Sequence, residues 1–192
     1  QIKLESTGTG NWSGLEFLAS SGTNNWDAYM GMNDSNGHFF IDNNSNGNDF
    51  VIDRYGYVTK PSQPSFAAFQ SQSSWTVNGT MVFGSTRHNV GNHYSTSNGR
   101  FTAPTTGSYL FNFFSIYKGN HTSGWVSLYK NGARMTGGDV HFTYTDLGNN
   151  WDNVAFNQVL YLSANEYVDM RSAQSTTWHG NNWQCFSGYL LG

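Results

Sequence analysis

The stretch "GSYLFNFFSIYK", residues 107–118, decides how this chain folds. Read with the two-residue period of a β-strand, it sets Tyr109, Phe111 and Phe113 on one face and Leu110, Phe114 and Ile116 on the other. A strand with one wet face alternates apolar and polar residues, whereas this one is apolar on both. One face fits the core of a sandwich. The other calls for a second partner, which subunit packing supplies.

On both sides of this stretch, apolar and aromatic runs of strand length recur with turn signals between them. They fall near 65–70, 80–85, 93–101, 124–130, 138–144, 151–162, 166–172 and 182–191, and none keeps a helical period over three turns. The composition agrees, with 11% charged and 17% aromatic residues and 22 glycines in 192 positions. Such a mixture is poor for helices and good for strands and turns. The expected fold is all-β, an antiparallel sandwich or jelly roll.

Prolines stand only at 61, 64 and 104, two of them in "KPSQPS", residues 60–65. Proline fixes its φ and cannot donate to a ladder, so this segment reads as a stiff linker. The domain reading is a β-rich stem over 1–60, a linker over 61–65 and a head over 66–192. Charge shifts at the same place, from three basic and seven acidic side chains in residues 1–60 to six and five beyond them. The chain opens at Gln1 without a Met or a signal peptide and reads as a fragment or a processed form.

Within the stem, "NDSNGHFFI" (33–41) is echoed by "NNSNGNDFVI" (43–52), an S-N-G turn followed by an apolar run. The second copy lies in "DNNSNGNDFVID" (42–53), which spells most of an EF-hand calcium loop. An EF-hand needs helices on both sides, and here the flanks are strand-like. Asn-Gly is a strong hairpin signal, so a hairpin turn is favoured. Asp42, Asn44, Asn46 and Asp53 are the donors a weak calcium or other cation site would use; no cofactor is required. With few large apolar side chains, the stem is expected to fold against copies of itself.

A net charge of −3 without a basic stripe argues against nucleic acid as a partner. No apolar run is long enough for membrane insertion as a helix. The one cysteine, Cys185, sits in "WQCFSGYLL" and reads as a small buried hydrophobe. The head's acids are Asp139, Asp146, Asp152, Glu166 and Asp169, and no G-x-S-x-G or H-E-x-x-H accompanies them. The expected class is therefore not an enzyme.

From Phe83 the chain runs "FGSTRHNVGNHYSTSNGRFTAPTTGSYLFNF". Its Phe83, Asn89, Tyr94, Phe101, Gly107, Tyr109, Phe111 and Phe113 resemble the signature of the globular C1q domain, and "FSGYLL" (186–191) looks like that domain's final strand. The resemblance implies a jelly roll of the C1q and tumour necrosis factor superfamily, a tight homotrimer that binds ligands and is not an enzyme fold. A second resemblance covers the joint: "NDFVIDRYGYVTKPSQPSF" (48–66) looks like the stem-to-head junctions of bacteriophage tail fibres and related virion appendages.

Strands of a jelly roll alternate in direction, so its loops divide between two ends. The base is expected to hold "TAPTTG", "KNGARMTG" and "SANE". The far end is expected to hold "KGNHTSG" (118–124), "TYTDLGNNWD" (143–152) and "AQSTTWHGNNW" (173–183). Only the far set carries aromatic residues. His121, Tyr144, Asp146, Trp151, Trp178, His179, Asn181 and Asn182 are the candidate ligand-binding residues, with Trp178 and His179 first. Rings stack on the C–H faces of sugars while amides and carboxylates bind their hydroxyls, so the expected ligand is a host cell-surface glycan. The leading expectation is a trimeric, extracellular fibre tip on the virion surface that attaches to a host receptor. The alternatives are a secreted C1q-domain protein of innate-immunity type and a structural fibre or capsid module without a ligand.

Overall fold

The computed structural model describes residues 12–21, 24–33, 37–42, 49–118, 123–143, 152–181 and 183–192. The described elements are all strands. The chain divides into two compact units, residues 1–63 and 64–192.

The first unit is an antiparallel meander of β1 (Trp12–Ser21), β2 (Asn24–Asn33), β3 (His38–Asp42), β4 (Phe50–Ile52) and β5 (Val58–Thr59), paired in chain order. Phe39 pairs with Ile52, Phe40 with Val51 and Ile41 with Phe50, so β3 and β4 are antiparallel neighbours. The flanks of the EF-hand spelling are therefore strands, and its residues 43–48 lie outside the described residues. Phe40 and Val51 are buried in this unit, while Met32, Ile41, Tyr55, Tyr57 and Val58 remain exposed.

The second unit contains β6 (Ser65–Phe69), β7 (Ser74–Thr80), β8 (Ser85–Val90), β9 (Tyr94–Ser95), β10 (Arg100–Thr102) and β11 (Gly107–Tyr117). It continues with β12 (Ser123–Lys130), β13 (Ala133–Thr143), β14 (Asp152–Leu162), β15 (Tyr167–His179) and β16 (Cys185–Leu190). One layer has the order β8-β6-β16-β11-β14, and the other is built on β15, with β12 and β13 along one edge and β10 and β7 along the opposite edge. Tyr117 paired with Trp178 links the layers. This is an antiparallel jelly-roll sandwich.

The core between the layers is aromatic. Phe66 stacks on Tyr94 at 4.8 Å and on Phe101 at 5.1 Å, and meets Phe186 edge-on at 5.1 Å. Face-offset and edge-on contacts of this kind contribute beyond simple area burial. Tyr94 is held twice: the Asn89 amide donates to its carbonyl and accepts from its N–H, and its hydroxyl lies 3.3 Å from the Phe83 amide nitrogen. Burial raises the Tyr94 phenol pKa far above its ordinary value, so the ring stays neutral. Gly188 has a packing reason, because a Cβ there would press within 2.7 Å of the Phe111 ring.

β11 behaves as its sequence predicts on the core side, where Tyr109, Phe111 and Phe113 are buried. On the outward side Phe114 is exposed and Leu110 half-buried, while Ile116 is buried. Register places Tyr189, Leu110 and Val159 in one row across β16, β11 and β14, and Cys185, Phe114 and Ala155 in another. Val159, Tyr161, Tyr189 and Leu191 are all exposed, while the row between the two, Ser187, Asn112 and Asn157, is polar.

Several boundaries differ from the sequence reading: the expected strand at 93–101 is β9 and β10 with a turn over 96–99, and β13 starts at Ala133 where a strand from about 138 was expected. The expected strand at 80–85 is replaced by β7 and β8, with the buried Met81 and Phe83 in the connection between them. The expected loop 173–183 is largely strand, since β15 continues to His179 past a register shift between Ser172 and Thr176. Beyond that shift Thr176 and Trp178 face inward and are buried, so a run rich in Ser and Thr still forms a ladder.

Candidate functional site

The strand ends sort as a jelly roll requires. Tyr117 pairs with Asp152 and Trp178, Ser123 with Thr143, and His179 with Ser74, so these ends gather at one pole. At the opposite pole Gly107 pairs with Leu162, Thr102 with Tyr167 and Lys130 with Ala133.

The base is locked by Glu166. Its carboxylate accepts from Lys130 Nζ at 2.6 Å, from the Asn131 amide at 2.9 Å and from the Ser163 N–H at 2.8 Å. The hydrogen bond from Lys130 and that from the Ser163 backbone, outweighing a small desolvation, hold this carboxyl below its usual range. Asp169, fully buried, is gripped by Arg171 Nε at 2.6 Å and Nη2 at 3.3 Å, with Arg100 Nε at 3.6 Å. Both acids are therefore committed to cations. The side chains of Asp139 and Asp152, and Asp146 altogether, lie outside what is described.

At the far pole the short turn after β15 is tightly built. Gly180 N–H donates to the Ser73 carbonyl at 3.0 Å and Asn181 N–H to the Gln72 carbonyl at 2.8 Å. Gly180 is required there, because a Cβ would overlap the Gln72 carbonyl oxygen. Asn181 takes φ +52°, a left-handed conformation that Asn tolerates better than most residues. Gln184, also buried, donates to the Gln70 carbonyl at 3.0 Å.

The expected candidates separate on this frame. Trp178 is a core residue with no exposed surface, edge-on to Tyr117 at 5.7 Å and to Phe113 at 6.3 Å. A ring in that position has no face for a ligand, which corrects its place as first choice. The cause is its inward parity on β15. His179 is nearly buried; its Nδ1 donates to the Gly180 carbonyl at 3.0 Å, and its ring lies 5.5 Å from that of Trp183 at a 35° tilt. Trp183 is 52% exposed. Asn181 is exposed beside it. Asn182, Trp151, Tyr144, Asp146 and His121 lie outside the described residues.

Among the expected cation donors, Asn44 and Asn46 are not described. Asp53 has another use: its Oδ1 accepts from the N–H groups of Tyr55 at 2.8 Å and Tyr57 at 2.9 Å, closing the turn between β4 and β5. No group of three or more His, Cys, Asp or Glu placed to hold a metal occurs among the described residues.

What sequence reasoning missed is the breadth of the apolar outer face. The signal was present in β14, where "NVAFNQVLYL" places Val159 and Tyr161 on the parity opposite the buried Val154, Leu160 and Leu162. The signature positions have a uniform role in the structure: Phe83, Tyr94, Phe101, Tyr109, Phe111 and Phe113 are buried, Gly107 is crowded by Leu190, and Asn89 pins Tyr94. They specify packing and leave the far pole unspecified.

Comparison with known proteins agrees with this core. The C1q domain model matches residues 65–191. The globular domain of zebrafish complement 1qA protein is similar over 68% of this chain and 98% of its own, at 16% identity and a TM-score of 0.51. The Eiger TNF structure from S. frugiperda is similar over 68% and 94%, at 13% identity and a TM-score of 0.55. At such identities the likeness concerns the fold.

Proposed function

Because the chain belongs to the C1q domain family, we propose that it is an extracellular recognition module that works as a homotrimer. We place it at the tip of a virion fibre, where its far pole binds a host cell-surface glycan. The observation that carries the assembly is the outward face of β8-β6-β16-β11-β14, where Tyr189, Leu110 and Val159 form one row beside the exposed Tyr161, and Phe114 stands in a second row beyond the polar row of Ser187, Asn112 and Asn157. Exposed apolar side chains clustered in this way mark a protein interface. Three copies joined through it set three far poles side by side, so sites that are weak singly gain avidity.

For the ligand, the support is Trp183, half-exposed on a platform made by the His179 ring and flanked by Asn181. An exposed indole beside an amide is the pairing that holds a sugar by its C–H face and its hydroxyls. We include Asn182, Trp151, Tyr144, Asp146 and His121 in the proposed site on their place in the sequence alone. Placement on a virion rests on the junction-like stretch 48–66 and on a first unit built as an antiparallel meander.

The test is an array of bacterial and animal surface glycans probed with the wild type and with Trp183→Ala. Selective binding by the wild type that is lost in a normally folded variant supports the site. An absence of binding by both proteins overturns the glycan reading in favour of a protein receptor or a module without a ligand.

A further inference from the structure

The other layer turns a different face outward. Arg100, Asp169, Tyr129 and Arg134 are successive register partners across β10, β15, β12 and β13, forming one row with an arginine at each end. Three guanidinium groups lie over rings in and around this row, each 4.2 Å from the ring centre: Arg100 on Tyr167, Arg171 on Tyr129 and Arg134 on Trp125. Stacking holds a guanidinium flat and limits the rotamers it must lose on binding. The side chain of Arg100 is 41% exposed and Arg134 is exposed, while the acid between them, Asp169, is wholly buried. Asp139, in register with Ser127, is the other acid on these four strands, so arginines outnumber acids three to two.

We propose that this arginine–aromatic face is a second binding site, for a polysaccharide whose sugars carry carboxylates. A stacked guanidinium presents a planar edge of N–H donors that matches a carboxylate with two parallel bonds. The same chemistry is present within the face, where Arg171 grips the Asp169 carboxylate through Nε and Nη2. Three strand spacings separate Arg100 from Arg134, roughly 14 Å, which is too far for one carboxylate and suits charges repeated along a chain. This face points away from the apolar layer, so assembly through that layer leaves it open. The inference rests on the preceding reading only for the class of ligand; its residues are separate from His179 and Trp183.

The experiment is affinity electrophoresis of the full chain through polygalacturonate, with fully methyl-esterified polygalacturonate as the uncharged control. Arg100→Gln/Arg134→Gln and Trp183→Ala run beside the wild type. The expected result is retardation of the wild type by the acid form alone, about tenfold weaker in the double arginine variant and weakened by salt. Trp183→Ala is expected to run as the wild type, which separates this face from the far-pole site. Arg134→Gln alone keeps both ion pairs of Asp169 and gives the same readout if the double variant is unstable. Absence of retardation, or equal retardation of the arginine variants, overturns the proposal.

Discussion

Alanine at Trp178 and alanine at Trp183 are the same edit made on either side of one turn, and their expected effects are opposite. Trp178 is enclosed by Tyr117 and Phe113, so its loss leaves a cavity and costs about 3–5 kcal/mol of stability. Denaturant unfolding measures it. Trp183→Ala removes an exposed ring and is expected to leave unfolding within about 0.5 kcal/mol of the wild type while ligand binding is lost. At the base, Glu166 gives a pH prediction. Its folded pKa lies below its unfolded one, so its stabilising contribution is present above the unfolded value near 4.5 and is lost as pH falls through the folded value. The fall in melting temperature from about pH 7 to pH 3 should therefore be larger in the wild type than in Glu166→Gln.

Among the elements, β14 carries the assembly prediction. Val159→Lys places a charge at the β14 end of the row Tyr189, Leu110, Val159 without touching the core face. It is expected to give a folded monomer, seen as a lower mass by light scattering with an unchanged β-sheet circular dichroism spectrum. In the first unit, Asp53 closes the β4–β5 turn by accepting two backbone N–H groups, and Asp53→Ala is expected to lower its stability by about 1 kcal/mol. Chelator is expected to leave the melting temperature unchanged.

How well each element could be read follows from whether its alternation reports its environment. β11 (Gly107–Tyr117) fills the stretch 107–118 read as a strand, because large apolar side chains mark both of its faces. The β3–β4 pairing was legible from the strand-like flanks of the calcium-loop spelling, while the expected Asn-Gly turn lies outside the described residues. β15 misled, because "AQSTTWH" is polar in composition although Thr176 and Trp178 alternate inward. A register shift at Ser172 hides that parity from any reading that runs straight through. The far-pole site was legible only as a region. Which tryptophan faces outward depends on where β15 ends, and that is set by the bonds from Gly180 and Asn181 to the Gln72–Ser73 turn, far away in sequence.

For the molecule as a whole, two outward faces of one sandwich have different chemistry. One exposes Phe114, Val159, Tyr161 and Tyr189; the other carries stacked arginines; the far pole between them carries the exposed indole. The mass of the purified chain at micromolar concentration, by light scattering, tests this account most directly. It predicts a species three times the 21.4 kDa of the single chain, reduced to one chain by Val159→Lys. A wild-type protein with the mass of one chain would contradict it, because Leu110, Phe114, Val159 and Tyr189 would then face water without a partner.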